Sequence, residues 1–163
     1  MNETPASGRV ALVTGATSGI GLRTAEIFVA EGAKIVIAGR RVAEGESLAN
    51  ALGTNCMFSQ TDVTVEAQMQ ALIGLAVEKF GRIDCLLNNA GGPAQTGGIE
   101  GLEVHRFDAA MATLVRSVML CMKHAAPHMK KQGSGSIINN GSIAGRLAGF
   151  SSSMVYGDRK SVV

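Results

Sequence analysis

Five short apolar runs constrain this chain more than any other feature. They are RVALVTG (9–15), KIVIAGR (34–40), CMFSQTDV (56–63), IDCLLNNAG (83–91) and GSIINNGS (135–142). Helical patterns separate them: ATSGIGLRTAEIFVAEGA, RVAEGESLANALG, TVEAQMQALIGLAVEKFG and a long stretch from about Val104 to Lys131. The first of these places Ile20, Ala25, Ile27, Phe28 and Val29 at helical spacing and stops at Gly32. The runs are continuously apolar rather than alternating, which predicts parallel strands covered on both faces. With right-handed crossovers, this is one doubly wound α/β domain. No repeat, linker or low-complexity segment interrupts it.

Composition removes several classes of function. A net charge of +2 without a basic run offers no electrostatic footprint for nucleic acid or an anionic membrane. Aromatics at 4% with no Trp make a poor stacking platform for bases. No apolar stretch is long enough for a bilayer, and MNETPASGRV lacks the pattern of a signal peptide. Cys56, Cys85 and Cys121 form no CxxC or zinc pattern, so they read as buried thiols in a reducing compartment. The expectation is a soluble cytoplasmic protein.

In an open α/β sheet, ligands sit beyond the carboxyl ends of the strands. The first such end carries TGATSGIG, with Gly15, Gly19 and Gly21 spaced GxxxGxG around Ser18 and Ile20. Glycines let the backbone approach a pyrophosphate, and the following helix offers free N–H groups and a positive dipole end. The spacing departs from the common GxGxxG fingerprint, and a plain strand-to-helix turn is the bland alternative. The second strand ends in AGRR, with Gly39 and Arg40 where an acidic residue often meets a ribose 2′-hydroxyl. A guanidinium without that carboxylate favours NADP, with NAD retained as the second choice. Arg40 and Arg41 also read as solvated charges at a helix start. Asp62 suits an adenine amino group, with Val63 against the ring, or else the electrostatics of the next helix start. In NNAG, Asn89, Ala90 and Gly91 follow the fourth strand, and the amides suit either loop stabilisation or ribose contact.

These residues resemble the classical short-chain dehydrogenases/reductases. TGATSGIG is similar to that family's cofactor loop, NNAG to its fourth-strand motif, GSIAG to its serine segment and YGDRK to its YxxxK. The four motifs occur in order and cover the chain through Gly157. The resemblance implies a Rossmann-type doubly wound parallel sheet, a nicotinamide cofactor, reversible oxidation of a secondary alcohol to a ketone, and a homo-oligomeric full-length parent. It implies that Tyr156 is the general acid or base, that Lys160 supports it and holds the nicotinamide ribose, and that Ser142 positions the substrate oxygen. A phenol ordinarily titrates near pH ~10, so such a base needs a nearby positive charge, which a residue four along a helix supplies. A serine ending a strand on the ligand edge can hydrogen-bond a developing alkoxide.

Two departures stand against a standard mechanism. Many family members carry an asparagine on the long helix that supports a proton relay through water. In FDAAMATLVRSVML the matching residue is Leu114, which has neither donor nor acceptor. A nucleotide-binding pseudoenzyme or regulatory module is therefore the rival reading, and a sugar-nucleotide epimerase or dehydratase a third. The family also continues past YxxxK, whereas this sequence stops three residues after Lys160. The expectation is an incomplete Rossmann domain over 1–157, inactive by itself. It should be poorly stable, with apolar surface exposed on the fifth strand and the long helix. Residues 158–163 read DRKSVV, the translation of GAT CGG AAG AGC GTC GTG before a TAG stop, which is a common sequencing-adapter string. They are expected to be a non-native tail, which would put Lys160 at its position by coincidence.

Cys121, His124 and His128 share one face of the long helix and could form a metal geometry, but no acidic partner is evident, so no metal is assigned. Met111, Met119, Met122 and Met129 read as core or subunit interface.

Overall fold

The computed structural model describes residues 4–92, 94–145, 153, 155 and 156. Five strands form one sheet: β1 Val10–Thr14, β2 Lys34–Gly39, β3 Cys56–Gln60, β4 Cys85–Asn88 and β5 Ser136–Asn139. All neighbours are parallel, in the order β3-β2-β1-β4-β5. The chain runs outward from β1 through β2 and β3, then restarts on the other side of β1 with β4. A crevice opens at that reversal, between the carboxyl ends of β1 and β4.

Strand geometry sends alternate side chains to opposite faces. Leu12 stands opposite Val36 and Leu86 on one face, where α3 (Glu66–Phe80) and α5 (Ser117–Gln132) contribute Met69, Leu72, Ile73, Leu120, Cys121 and Ala125. Ala11, Val13, Ile35, Ile37 and Leu87 point the other way, against Ala25 and Phe28 of α1 (Gly19–Ala30) and Leu48 of α2 (Val42–Leu52). β1 is buried at every position. The continuous apolar reading is thus correct at the centre of the sheet.

It is not correct at the edges. β3 is mostly half-buried, and β5 has no buried residue. On β5, Ile137 packs on the α3/α5 side while Ile138 is 47% exposed. Met119 and Met122 of α5 are also exposed. Apolar surface is therefore present on the fifth strand and the long helix, where the sequence predicted it.

The long helix also departs from a single regular rod. After α4 (Val104–Met111), Ala112–Arg116 forms a π-helical turn before α5 begins. The Ser117 hydroxyl, at the start of α5, donates back to the Thr113 carbonyl of that turn at 2.6 Å. A side chain that supplies a donor to a wide turn compensates for the altered backbone ladder.

Candidate functional site

Polar groups at the carboxyl edge fasten the loops before any ligand is considered. Thr14, the buried last residue of β1, receives the N–H groups of Asn89 and Ala90 on its hydroxyl, each at 3.1 Å. The Asn89 amide donates to the carbonyls of Thr14 and Gly15, both at 3.1 Å, and accepts from the Asn140 amide at 2.9 Å. Below it Asn88 donates to Asn139 at 2.9 Å. Of the two roles that the sequence allowed Asn89, its side chain takes the loop-stabilising one here.

Glycine is required where these loops meet. Gly15 has φ +65°, and a Cβ there would lie 2.8 Å from Ala90 Cα. A Cβ on buried Gly21 would lie 2.5 Å from the Gly15 carbonyl oxygen and 2.6 Å from Asn89 Nδ2. Real side chains do not tolerate such distances, so the loop stays bare backbone at the head of α1. That is a cradle for an anionic group, with the N–H groups of Gly19, Ile20 and Gly21 starting the helix. Ser18 is the extended residue before α1, and Ile20 is 65% exposed at the cleft.

The cleft has a volume of about 660 Å³, within the usual range for a ligand site. Residues from every carboxyl-end loop line it: Gly15, Ser18 and Ile20 from the first, Arg40 and Arg41 from the second, Asp62 and Val63 from the third. Asn89, Ala90 and Gly91 of the fourth, Ser142 after β5, and Tyr156 complete the wall. Thus residues up to 141 positions apart in sequence, Gly15 and Tyr156, share one cavity.

Arg40 and Arg41 behave differently. The Arg41 guanidinium donates to the Thr17 hydroxyl from Nε at 3.2 Å and from Nη2 at 2.9 Å. It is thus not merely a solvated charge. Arg40 is exposed and acts through its field on Asp62. The Asp62 carboxyl is held below its ordinary range chiefly by the Thr64 N–H at 2.9 Å and the Thr64 hydroxyl at 2.7 Å, with Arg40 adding to this and burial opposing it. Those bonds close a turn at Asp62–Thr64 ahead of α3, and Asp62 lines the cleft.

At the far wall, the Ser142 hydroxyl accepts the Ala144 N–H at 3.3 Å, which leaves its own hydrogen available to donate. Tyr156 is half-buried, and its N–H donates to the Ser153 hydroxyl, which in turn donates to the Gln95 carbonyl at 2.6 Å. Leu114 is 2% exposed and clusters with Ala110 and Val155, against which Tyr156 packs. The residue at the expected relay position therefore builds an apolar wall. Lys160 and the expected tail 158–163 lie outside the described residues.

Sequence reasoning missed Thr14, Thr17, Thr113 and Asn140, which fasten or line the cleft. For Thr14, Thr17 and Asn140 the available signal was their placement at strand ends or loops, whereas Thr113 lies in the π-helical turn and offered none. Cys121 is buried in the α3/α5 core, where burial pushes its thiol up to about 12, while His124 meets Glu66 at 3.1 Å. Burial likewise raises Cys56 to about 11. Among the described residues no three His, Cys, Asp or Glu side chains converge as metal ligands, and no helix is long and apolar enough to cross a membrane.

Comparison with known proteins gives a consistent result. The sequence profile described as short chain dehydrogenase matches residues 9–163. Cis-4-hydroxycyclohexanecarboxylate dehydrogenase of Sinomonas cyclohexanicum is 40% identical over 149 residues, 89% of this chain and 59% of that protein. (+)-Borneol dehydrogenase 2 of Salvia officinalis is 38% identical over 160 residues, 96% of this chain and 56% of its own length. Serine dehydrogenase from Escherichia coli superposes with a TM-score of 0.86 at 29% identity, covering 94% of this chain and 70% of that one. The chain spans 56–59% of the length of these two curated relatives.

Proposed function

This chain belongs to the short-chain dehydrogenase family, and we propose that its cleft binds a nicotinamide dinucleotide, preferring the phosphorylated form, for oxidoreduction of a secondary alcohol and its ketone. The observation that carries this reading is the convergence of all the strand-end motifs on one cavity. The residues fit the cofactor in chemical terms. Gly15 and Gly21 let the first loop pack its backbone closely against Asn89 and Ala90 at the head of α1, Arg40 and Arg41 offer positive charge, and Asp62 with Val63 offers an acceptor beside an apolar contact.

When bound, the nicotinamide would give or accept the hydride. The chain's part is to position and to move a proton. The Ser142 hydroxyl would donate to the substrate oxygen and hold it at the cleft wall. In ketone reduction the Tyr156 hydroxyl would deliver the proton to that oxygen, and in alcohol oxidation it would receive it. A lysine four residues after Tyr156 would supply the supporting charge, a place that Lys160 holds in this sequence and that the parent's own lysine would hold if 158–163 are a non-native tail. Two dehydrogenases among the relatives suit an alcohol substrate, and one is named for a hydroxycyclohexane ring, which favours a ring-borne hydroxyl.

Leu114 supports a second reading, a dinucleotide-binding protein without efficient turnover, because an apolar residue there cannot carry a water relay. Titrating reduced nicotinamide dinucleotides into the protein tests the first claim, and hydride transfer with a panel of cyclic secondary alcohols tests the second. Saturable binding with turnover supports the oxidoreductase. Saturable binding without turnover, with turnover gained on Leu114→Asn in the full-length parent, supports the second reading. A folded protein that binds neither dinucleotide at millimolar concentration overturns both.

A further inference from the structure

The loop after β4 is closed by one side chain and fastened to the segment that carries Tyr156. The Gln95 side-chain amide donates to the Gly101 carbonyl at 2.7 Å, and its oxygen accepts the Glu103 N–H at 2.9 Å. Residues 95–103 are thereby drawn into a closed turn. Ala94 and Leu102, at its two ends, pack on the apolar cluster of Ala110, Leu114 and Val155 against which Tyr156 also lies. The Gln95 carbonyl accepts the Ser153 hydroxyl at 2.6 Å, and Gly97 pairs with Ser153 in a single parallel β-bridge. Ser153 is 5% exposed, and its oxygen accepts the Tyr156 N–H at 3.2 Å. That is the bond of a helix cap, made to the N–H three residues on, and Val155 and Tyr156 have helical backbone. One hydroxyl therefore bonds both to a loop 58 residues away and to the backbone of Tyr156.

The geometry points to Gln95 and Ser153 as positioning residues for Tyr156: the loop closed by Gln95, acting through the Ser153 hydroxyl, sets the angle at which the phenol enters the cleft. Apolar packing around Leu114 holds the ring but has no preferred direction. The hydrogen bond to its backbone is directional. The phenol is a long lever, so a small rotation at the N–H moves its hydroxyl much further. Proton transfer needs hydrogen-bond reach to the substrate oxygen, so such a displacement slows the reaction without touching the dinucleotide. Gln95 and Ser153 stand behind the cleft wall rather than in it, whereas Tyr156 lines it. The inference rests on the oxidoreductase reading above and names the residues that hold its proton donor in place.

Tyr156 is the sole tyrosine and the chain has no tryptophan, so tyrosine fluorescence reports this ring alone. Far-UV circular dichroism confirms that each variant is folded, and urea unfolding gives its stability. Ser153→Ala and Gln95→Ala should each lower the residual anisotropy of that fluorescence about twofold, with the Kd for NADPH changed less than about twofold. The double variant should lower it no further than either single one, because both act along one path. Gln95 is half-buried on a loop, so its variant decides the matter if Ser153→Ala does not fold. Ile73→Val in the α3/α5 core is the control, and should lose stability with the anisotropy unchanged. In the full-length parent, Ser153→Ala and Gln95→Ala should lower kcat about tenfold and leave the KM for NADPH within about twofold. The proposal is overturned if both alanine variants keep the wild-type anisotropy, or if Ile73→Val lowers it as much as they do. A parent without turnover removes the oxidoreductase reading and this role together, whereas a working parent whose variants keep kcat removes only the role.

Discussion

The two ends of the same parallel sheet are built from similar polar groups and end in opposite states. At the amino end, the Asp84 carboxylate is 7% exposed and receives Arg82 from Nη2 at 2.6 Å and Nε at 2.9 Å, the Val10 N–H at 2.9 Å and Arg9 at 3.4 Å. Gln132, at the end of α5, exchanges hydrogen bonds with both backbone groups of Ile83. These contacts tie β1, the start of β4 and α5 together. At the carboxyl end, Thr14, Asn89 and Asn140 tie the same strands just as fully, but through loops whose glycines forbid side-chain filling. The difference teaches that satisfied hydrogen bonds alone do not close a protein end. Side-chain volume decides whether the result is a clamp or a cleft.

The comparison breaks most visibly at Asp84. Asp84→Ala leaves Arg82 and the buried Val10 N–H without their acceptor, and should cost about 2–4 kcal/mol, below the figure for a wholly buried pair because both arginines are half-exposed. Urea unfolding measures this, and the dinucleotide Kd should stay unchanged. Burial pushes the Asp84 carboxyl up, but Arg82, the Val10 N–H and Arg9 outweigh it and hold the group below its ordinary range. Its folded-state pKa is therefore depressed. The stabilisation is complete above the unfolded value of about 3.9 and is lost as pH falls through the folded value. Asp84→Asn should flatten that acid limb in part, leaving the contributions of Asp62 and Glu66, which are also lowered. An acid limb identical to wild type would show that the clamp is not the titrating element.

At the other end the expected signature is reversed. Gly21→Ala must move the Gly15 carbonyl or Asn89, so dinucleotide binding should fall below detection with a stability loss of about 1–3 kcal/mol. Asn89→Asp is milder. It places a carboxylate against the carbonyls of Thr14 and Gly15 in place of a donor, and should cost about 1–2 kcal/mol and weaken binding several-fold. Thermal melts paired with dinucleotide titrations separate the two. A stability loss with full binding in either variant would mean that the loop relaxes without affecting the cleft.

How much of this was legible in the sequence follows from the range of each interaction. The strands of the centre were legible because burial on two faces leaves a continuous apolar run, as in β1 and β2. The glycines and the strand-end residues from Gly15 to Ser142 were legible because parallel topology sends every strand end to one edge. The π-helical turn was not, since Ala112–Arg116 contains neither Gly nor Pro and its helical spacing looks ordinary. The exposure of Ile138 agrees with the apolar surface expected on the fifth strand. Thr14 with Asn89 and Thr17 with Arg41 are partnerships across 75 and 24 residues, which no local pattern encodes. Asp84 likewise carries no local signal of its role, since one of its partners, Arg9, lies 75 residues away.

The smallest expected effect gives the sharpest test of whether the two ends are independent. Arg9 reaches Asp84 through a single contact at 3.4 Å and is 59% exposed, whereas Arg82 makes a two-pronged contact at 2.6 and 2.9 Å. A long, solvated ion pair contributes little, so Arg9→Ala should cost no more than about 0.5 kcal/mol, and Arg82→Ala clearly more. Neither should alter dinucleotide affinity. β1 separates Val10 from Thr14 by four residue steps, about 13 Å along the strand, and its buried positions hold it in one arrangement. Should Arg9→Ala weaken binding while leaving the unfolding curve untouched, β1 would be transmitting a shift from clamp to cleft. The two ends would then be one device rather than two. An unchanged Kd with a small loss of stability keeps them separate, and makes the amino end a place where stability can be adjusted without touching the chemistry.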